Sequence, residues 1–352
     1  MRTIIVLCLS VLFLTGCSSD PKNTSSKSAD NRYLPNTILG GDNIWVISDT
    51  SDWNNGLQDL TNKIFESSYE MLPQDERCFH VSGITYFDFN DLMRRNQCIL
   101  FEVNLQRESR LTRFIRKNFA QKIKTVEGST HFFVKDLWAK GQLVGFILAN
   151  NKEQLFDHVS QNEDQLRNIY LDFVIHQQAK RFMNSPKNAG VSQKFLEKFN
   201  LNLHVPKEYR TGADLENFYW AVKETRTGYM GVVAYAELYS DSAQLRKQHI
   251  LDLRDSILGQ VITGEDANNH MISDRRILIL ERQGNFKGKY AKTLSGLWQL
   301  KGIYVGGPFK HYVIYDNISK SLLHIDLFVT SPGDDKKPLM QELEAIIQTA
   351  KN

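Results

Sequence analysis

Residues 308–330 read PFKHYVIYDNISKSLLHIDLFVT. Two strand-forming runs flank Asn317-Ile318-Ser319-Lys320, which predicts a β-hairpin closed by a four-residue turn. That turn places His311 opposite Asp326 and Val313 opposite His324. Side chains alternate across a strand, so His311, His324 and Asp326 share one face. Tyr312, Ile314, Leu323, Ile325 and Leu327 share the other, which is apolar enough to be core. A slip of one residue would break both sets.

Working outward, the neighbouring segments carry the same period. Strand runs near 276–282 and 289–301 precede the hairpin, and a helix from about 335 to 350 follows it. Further upstream a strand at 201–205 is stopped by Pro206, and two more run near 217–224 and 230–238. A helix from about 242 to 260 carries Leu245, Ile250, Leu253 and Ile257 at helical spacing. Residues 186–352 are therefore expected to form an α+β domain, an antiparallel sheet with two helices.

The pattern breaks at Asn184-Ser185-Pro186-Lys187-Asn188-Ala189-Gly190, where an interdomain hinge is expected. Before it, strands and helices alternate. Ile44-Trp45-Val46-Ile47 reads as a buried strand, and Ser51 or Asp52 caps a helix carrying Leu57, Leu60, Ile64 and Phe65. Strands follow at 79–86, 98–105 and 143–149, with helices at 90–96, 109–121 and, at length, 151–182. Residues 37–185 are expected to form an α/β domain with a mixed or parallel sheet and flanking helices.

The N-terminus carries an address. Arg2, an apolar run from Ile4 to Leu14, and Leu14-Thr15-Gly16-Cys17 form a secretory signal ending in a lipobox, so residues 1–16 are read as a cleaved signal peptide. The run is too short to span a bilayer, which takes about 20 residues. Cys17 is then the lipidated residue and the membrane partner is its acyl chains, palmitate among them. Ser18 and Ser19 follow it, and without an Asp directly after the cysteine the expected location is the outer membrane. Residues 17–36 are Ser, Asn, Lys and Pro with little apolar surface, and read as a flexible tether. A formal net charge of +3 over 352 residues argues against nucleic acid as a partner.

Behind Cys17 the folded part holds two cysteines, Cys78 and Cys98, each at the start of a strand-like run. Two readings stand open: a disulfide between neighbouring parallel strands, contributing about 3 kcal/mol, or two buried thiols.

Common catalytic signatures are missing: no Gly-x-Ser-x-Gly, His-Glu-x-x-His, Gly-x-Gly-x-x-Gly or phosphate-binding loop occurs, and no cofactor is implied. The cluster of His311, His324 and Asp326 is the foremost candidate, either as metal ligands or as an acid/base pair oriented by a carboxylate. The competing reading is a solvated sheet face with an incidental ion pair. Gly306 and Gly307, beside Gly302 and Pro308, form a candidate ligand loop where backbone approaches closely, or simply a turn. From Arg107 to Lys124 seven basic residues face one acidic, Glu108, on a helix with Leu111, Phe114, Ile115 and Phe119 at helical spacing. Such a helix either lies on anionic lipid or is an outer face packed on the sheet.

Several pieces also resemble a known family. Asp52-Trp53 through Phe65-Glu66, then Tyr69, Leu72-Pro73-Gln74, Ser295-Gly296-Leu297-Trp298 and Gly306-Gly307-Pro308-Phe309 resemble an uncharacterised family of bacterial envelope lipoproteins described as a domain of unknown function. The resemblance covers nearly the whole chain after the signal and implies no activity or site residue. The expectation is a non-enzymatic binding or scaffolding module with a ligand cleft between its halves and an envelope protein or glycan as partner. The alternative is an envelope hydrolase or metal-binding protein using the His/Asp cluster.

Overall fold

The computed structural model describes residues 33–38, 40–124, 126–266 and 268–351. The signal segment, Cys17, Ser18 and most of the expected tether lie outside the described residues.

Cys98-Ile-Leu-Phe-Glu-Val-Asn104 is buried at every position, so this strand needs cover on both faces and neighbours on both edges. It has them. Strands β1 (Asn43–Ser48), β2 (His80–Ile84), β3 (Cys98–Asn104), β4 (Ser129–Lys135) and β5 (Leu143–Ala149) form one sheet in the order β2-β1-β3-β5-β4, parallel except for β4. Three helices cover one face: α2 (Gln58–Phe65), which follows the short α1 (Thr50–Asp52), α5 (Lys152–Gln161) and α6 (Glu163–Met183). α3 (Arg110–Asn118) and α4 (Ala120–Ile123) lie on the other, where Leu111 and Ile115 pack on Phe101 and Phe146. This is the expected layering of helices on a mostly parallel sheet.

The second half comprises α7 (Ala189–Phe199), β6 (Arg210–Leu215), β7 (Phe218–Glu224), β8 (Tyr229–Leu238), α8 (Lys247–Val261), β9 (Met271–Ser273), β10 (Leu280–Phe286), β11 (Lys289–Leu300), β12 (Gly306–Asp316), β13 (Ser321–Thr330) and α9 (Lys337–Gln348). Its antiparallel sheet runs β10-β11-β12-β13-β8-β7-β6, with β9 beside β11. The β12–β13 register pairs His311 with Asp326 and Val313 with His324, as the four-residue turn requires. α7 and α9 cover the face carrying Ile314, Ile325 and Leu327. α8 covers the opposite face, which carries Phe309, Val313 and Phe328. Both sheets belong to one compact unit, Leu34–Asn352, in which α6 packs along α9. The core clusters formed by the described residues all lie inside it.

Three local expectations change. The long helix breaks at Asn162, whose amide donates to His158 O at 2.7 Å and competes with the helical ladder. Residues 201–205 are not a strand: Leu201, Leu203 and Val205 do point inward, but Leu203 N bonds Leu201 O within the segment, His204 N bonds the Thr349 hydroxyl, and the pairing is a single antiparallel bridge from Asn202 to Lys351. The break at Asn188-Ala189-Gly190 is a helix start, with the Asn188 side chain accepting from Val191 N at 3.1 Å to cap α7. Among the described residues the second half thus has three α-helices. At the other end, Pro35 O accepts from Lys140 N and Asn36 O from the Arg95 guanidinium, so residues 35 and 36 lie against the body.

No disulfide joins Cys78 and Cys98, which are free and buried. The disulfide reading needed neighbouring strands, but β1 lies between β2 and β3. Two ladder steps of about 4.8 Å exceed the roughly 7 Å Cα separation that a bridge tolerates. Burial raises both thiols above their ordinary range.

Candidate functional site

α8 decides the chemistry of the hairpin's polar face. Ile250, Arg254 and Leu258 stand four residues apart on the buried side of that helix, so a guanidinium occupies a position in the apolar stripe. Arg254 is completely buried and donates to Asp326 from Nε at 2.6 Å and Nη2 at 3.1 Å. A third donation goes to the Ser273 hydroxyl at 3.1 Å, and the cation lies 3.9 Å from the Phe309 ring centroid. From Asp326 the network runs on through His311 Nδ1 (2.8 Å), His311 Nε2 to His324 Nδ1 (3.0 Å), and His324 Nε2 to Glu237 Oε1 (3.2 Å). Tyr235 stacks on His324 with centroids 4.7 Å apart. His311, His324 and Asp326 have no exposed surface; Glu237, at the outer end, is partly exposed.

The protons can be placed by counting. Burial lowers both imidazoles, His324 to about 4 although the Glu237 carboxylate acts to raise it. Asp326 stays below the ordinary carboxylate range: burial acts to raise it, but the Arg254 charge and His311 outweigh burial. Two neutral rings supply two N–H groups for three contacts. Asp326, an acceptor, takes the one on His311 Nδ1, and His324 Nδ1 donates to His311 Nε2. His324 Nε2 is left without a proton opposite Glu237, the longest contact of the chain. An added proton therefore enters at the Glu237 end.

This geometry corrects two sequence readings. The His/Asp face is not solvated, because α8 and β9 lie over it. Nor does it form a metal shell. Among the described residues no group of His, Cys, Asp and Glu is placed to hold a metal, and the four ring nitrogens point along a line at one another and at the two carboxylates. Gly306 and Gly307 also change role. They begin β12 rather than forming a ligand loop, and a Cβ on either would overlap backbone of an adjacent strand, Trp298 O and Val329 O respectively.

A concave site lies instead between the halves. A cavity of about 260 Å³ opens between α6 and the loop after α2 on one side and α9 with β10–β12 on the other. Tyr69 donates to Glu344 Oε1 at 3.0 Å, the Lys310 ammonium pairs with Glu344 Oε2, and Arg282 pairs with Glu70 across the mouth. Burial raises the Tyr69 phenol well above its ordinary value and Glu344 raises it further. Burial acts to lower Lys310, but Glu344 outweighs it and holds the ammonium charged. Asp172 lines the same groove, its carboxyl raised by desolvation. A larger hollow of about 740 Å³ lies between the end of α7 and the turns joining β10–β11 and β12–β13. Two of its lysines are already engaged, Lys198 by Asp214 and Lys289 by Asp316.

Two family models match the chain on either side of the α6–α7 junction. Residues 41–183 match a domain of unknown function (DUF8532), and residues 188–349 match a second domain of unknown function (DUF4837). The two matches follow one another along the chain without overlap. A search of curated proteins returns no match. The buried Arg–Asp–His–His–Glu chain lies wholly within the DUF4837 segment, whereas the groove draws residues from both.

In the DUF8532 segment the basic helix is α3 with α4. Ser109 starts it with a capping box to Thr112, and Leu111 and Ile115 turn toward the sheet. Of its flanking cations, Arg107 is taken by Asp52 at 2.7 Å and Arg116 by Glu108 at 2.9 Å. Sequence reading missed Arg254, Glu237, Tyr69 and Glu344. Arg254 alone had a local signal, a charge at the fourth position from Ile250 on an apolar stripe.

Proposed function

We propose that this chain is a non-catalytic binding module of the bacterial cell envelope, held at the outer membrane by acyl chains on Cys17, with the groove between its halves as its ligand site. The observation that carries the reading is the construction of that groove. Tyr69 and Glu70 reach from the first half to Glu344 and Arg282 of the second, so a concave site with fixed charges exists only while the halves stay together. The lipobox ending at Cys17 supports the anchor, and Ser18 after it supports the outer membrane.

A hydrolase using His311, His324 and Asp326 gains no support from the geometry. The three have no exposed atom and line neither cavity, so substrate would have to displace α8. An envelope protein or a glycan is the partner class that suits a groove of mixed charge.

Two experiments test the reading. A photo-crosslinking residue at Asp172, in cells expressing the full chain, is expected to capture a partner, and Asn168→Trp, which fills the groove, to abolish the adduct. Absence of any adduct, or one indifferent to Asn168→Trp, would sink the groove as ligand site. Incorporation of labelled palmitate that survives Cys17→Ala would sink the anchor.

A further inference from the structure

We infer that the outer layer of the first sheet, α3 and α4 with the loop 85–95, is a docking surface for an anionic lipid bilayer. Between Glu108 and Lys124 the chain places six cations against one carboxylate. Among the described residues Arg110, Arg113, Lys117 and Lys124 meet no carboxylate, and all four are exposed. The apolar side of α3 is spent on the sheet, so the basic side faces outward.

Two large apolar side chains stand beside this basic face. Phe87 is 76% exposed and Leu92 60% exposed. The loop that carries them is tied along α3: Tyr86 packs on Phe114 with centroids 5.2 Å apart, and Arg110 lies 5.3 Å from the Phe87 ring. Of the two carboxylates on the same loop, Asp91 is paired with Arg94 at 2.9 Å, whereas Asp88, bonded by the Thr85 hydroxyl at 2.6 Å, keeps its charge and is outnumbered by the cations of α3. Cations flanking exposed aromatic and aliphatic side chains suit an interface where headgroup phosphates meet acyl chains. A soluble polyanion would use the cations and leave Phe87 and Leu92 in water.

Placement of the surface agrees with this. Asn36 and Ile38, where the chain enters the body, bond Arg95 at the end of the same loop, Ile38 N to Arg95 O at 3.1 Å. The second half packs against α6, on the opposite face of the sheet. Docking through α3 therefore leaves the groove between the halves free.

The test uses residues 18–352, which contain the whole compact unit and neither Cys17 nor the apolar leader, so its outcome is independent of lipidation. Flotation with vesicles of phosphatidylcholine containing phosphatidylglycerol, against phosphatidylcholine alone, is expected to show binding to the anionic vesicles only, and weaker binding in high salt. Each cation near an anionic surface strengthens association about fivefold. Arg113→Gln with Lys117→Gln should therefore weaken it about 25-fold, and Phe87→Ser with Leu92→Ser should weaken it with far-UV CD unchanged. Equal retention on neutral vesicles, or indifference to Arg113→Gln with Lys117→Gln, would overturn the inference. Binding to inorganic polyphosphate as strong as to vesicles, and unmoved by Phe87→Ser with Leu92→Ser, would overturn the bilayer in favour of a soluble polyanion.

Discussion

Removing the Asp326 carboxylate tests whether the buried chain under α8 holds the second domain together. In Asp326→Ala, Arg254 loses both donations to Asp326 and keeps the Ser273 hydroxyl, the Met271 sulfur at 3.8 Å and the face of Phe309, with Asp255 no nearer than 3.8 Å. His311 loses the acceptor for its Nδ1–H at the same time. A guanidinium with no exposed surface, left with Asp255 at 3.8 Å as its nearest counter-charge, costs about 3–5 kcal/mol, of which the Coulomb energy of the lost pair is only a part. Arg254→Ala alone should cost a similar amount, because Asp326 is then left buried with a single imidazole donor. The double variant removes both charges and should cost well under the sum, a coupling of about 2–3 kcal/mol. Urea titration of the three variants beside wild type measures all four corners of the cycle, and Asp326→Asn gives a shape-preserving control if the alanine variant does not fold. A loss below about 1 kcal/mol for Asp326→Ala, or strict additivity in the double variant, would refute the claim that these groups stabilise one another.

Other outcomes follow from the same structure. Glu102, buried in β3 with only the Thr61 hydroxyl at 3.0 Å, has its carboxyl raised to about 8 by burial. The folded state therefore keeps a proton that the unfolded chain releases above its ordinary 4.5, and stability falls as pH rises through that window. Glu102→Gln is expected to flatten the fall and exceed wild type by up to a few kcal/mol at pH 8.5 but not at pH 4.5; an equal difference at both would contradict it. Cys78 and Cys98 should resist alkylation in the native protein and both react in urea without reductant, whereas failure to react in urea would reveal a bond between them. Gly307→Ala, which drives a Cβ into Val329 O, should lower the melting temperature markedly, and an unchanged midpoint would mean the strands separate more easily than their ladder implies.

What could be read from sequence depended on how far the deciding contact lay along the chain. The hairpin was legible because its turn fixes the register locally, and the alternation of Tyr312, Ile314, Ile325 and Leu327 marked one face as core. The other face was misjudged for a physical reason: polar residues at alternate positions look solvated, and the cation that makes their burial tolerable sits 72 positions upstream of Asp326 on α8. The two readings of the cysteines could not be separated because a parallel crossover can pass over a strand, here β1, so successive strands need not be neighbours. A cleft between the halves was expected, but its residues could not be named, since Tyr69 and Glu344 are 275 positions apart and neither lies in a local pattern.

The same distances separate the two polar assemblies by their consequences. The chain from Arg254 to Glu237 joins α8 to β8, β12 and β13 within one domain, and it is closed to solvent except at Glu237. Its worth is structural: buried charges that fit only one pairing of helix and sheet penalise any other docking of α8 by the cost of an unpaired guanidinium. The Tyr69–Glu344–Lys310 and Glu70–Arg282 contacts join one domain to the other and border open space. A partner entering there competes with those pairs for the same donors, and in doing so acts on the contact between the halves. If the groove is the ligand site proposed above, binding and interdomain geometry are coupled. A ligand that displaces Tyr69 from Glu344 should loosen α6 against α9, and amide exchange in α9 with and without groove ligand is where that coupling would be read.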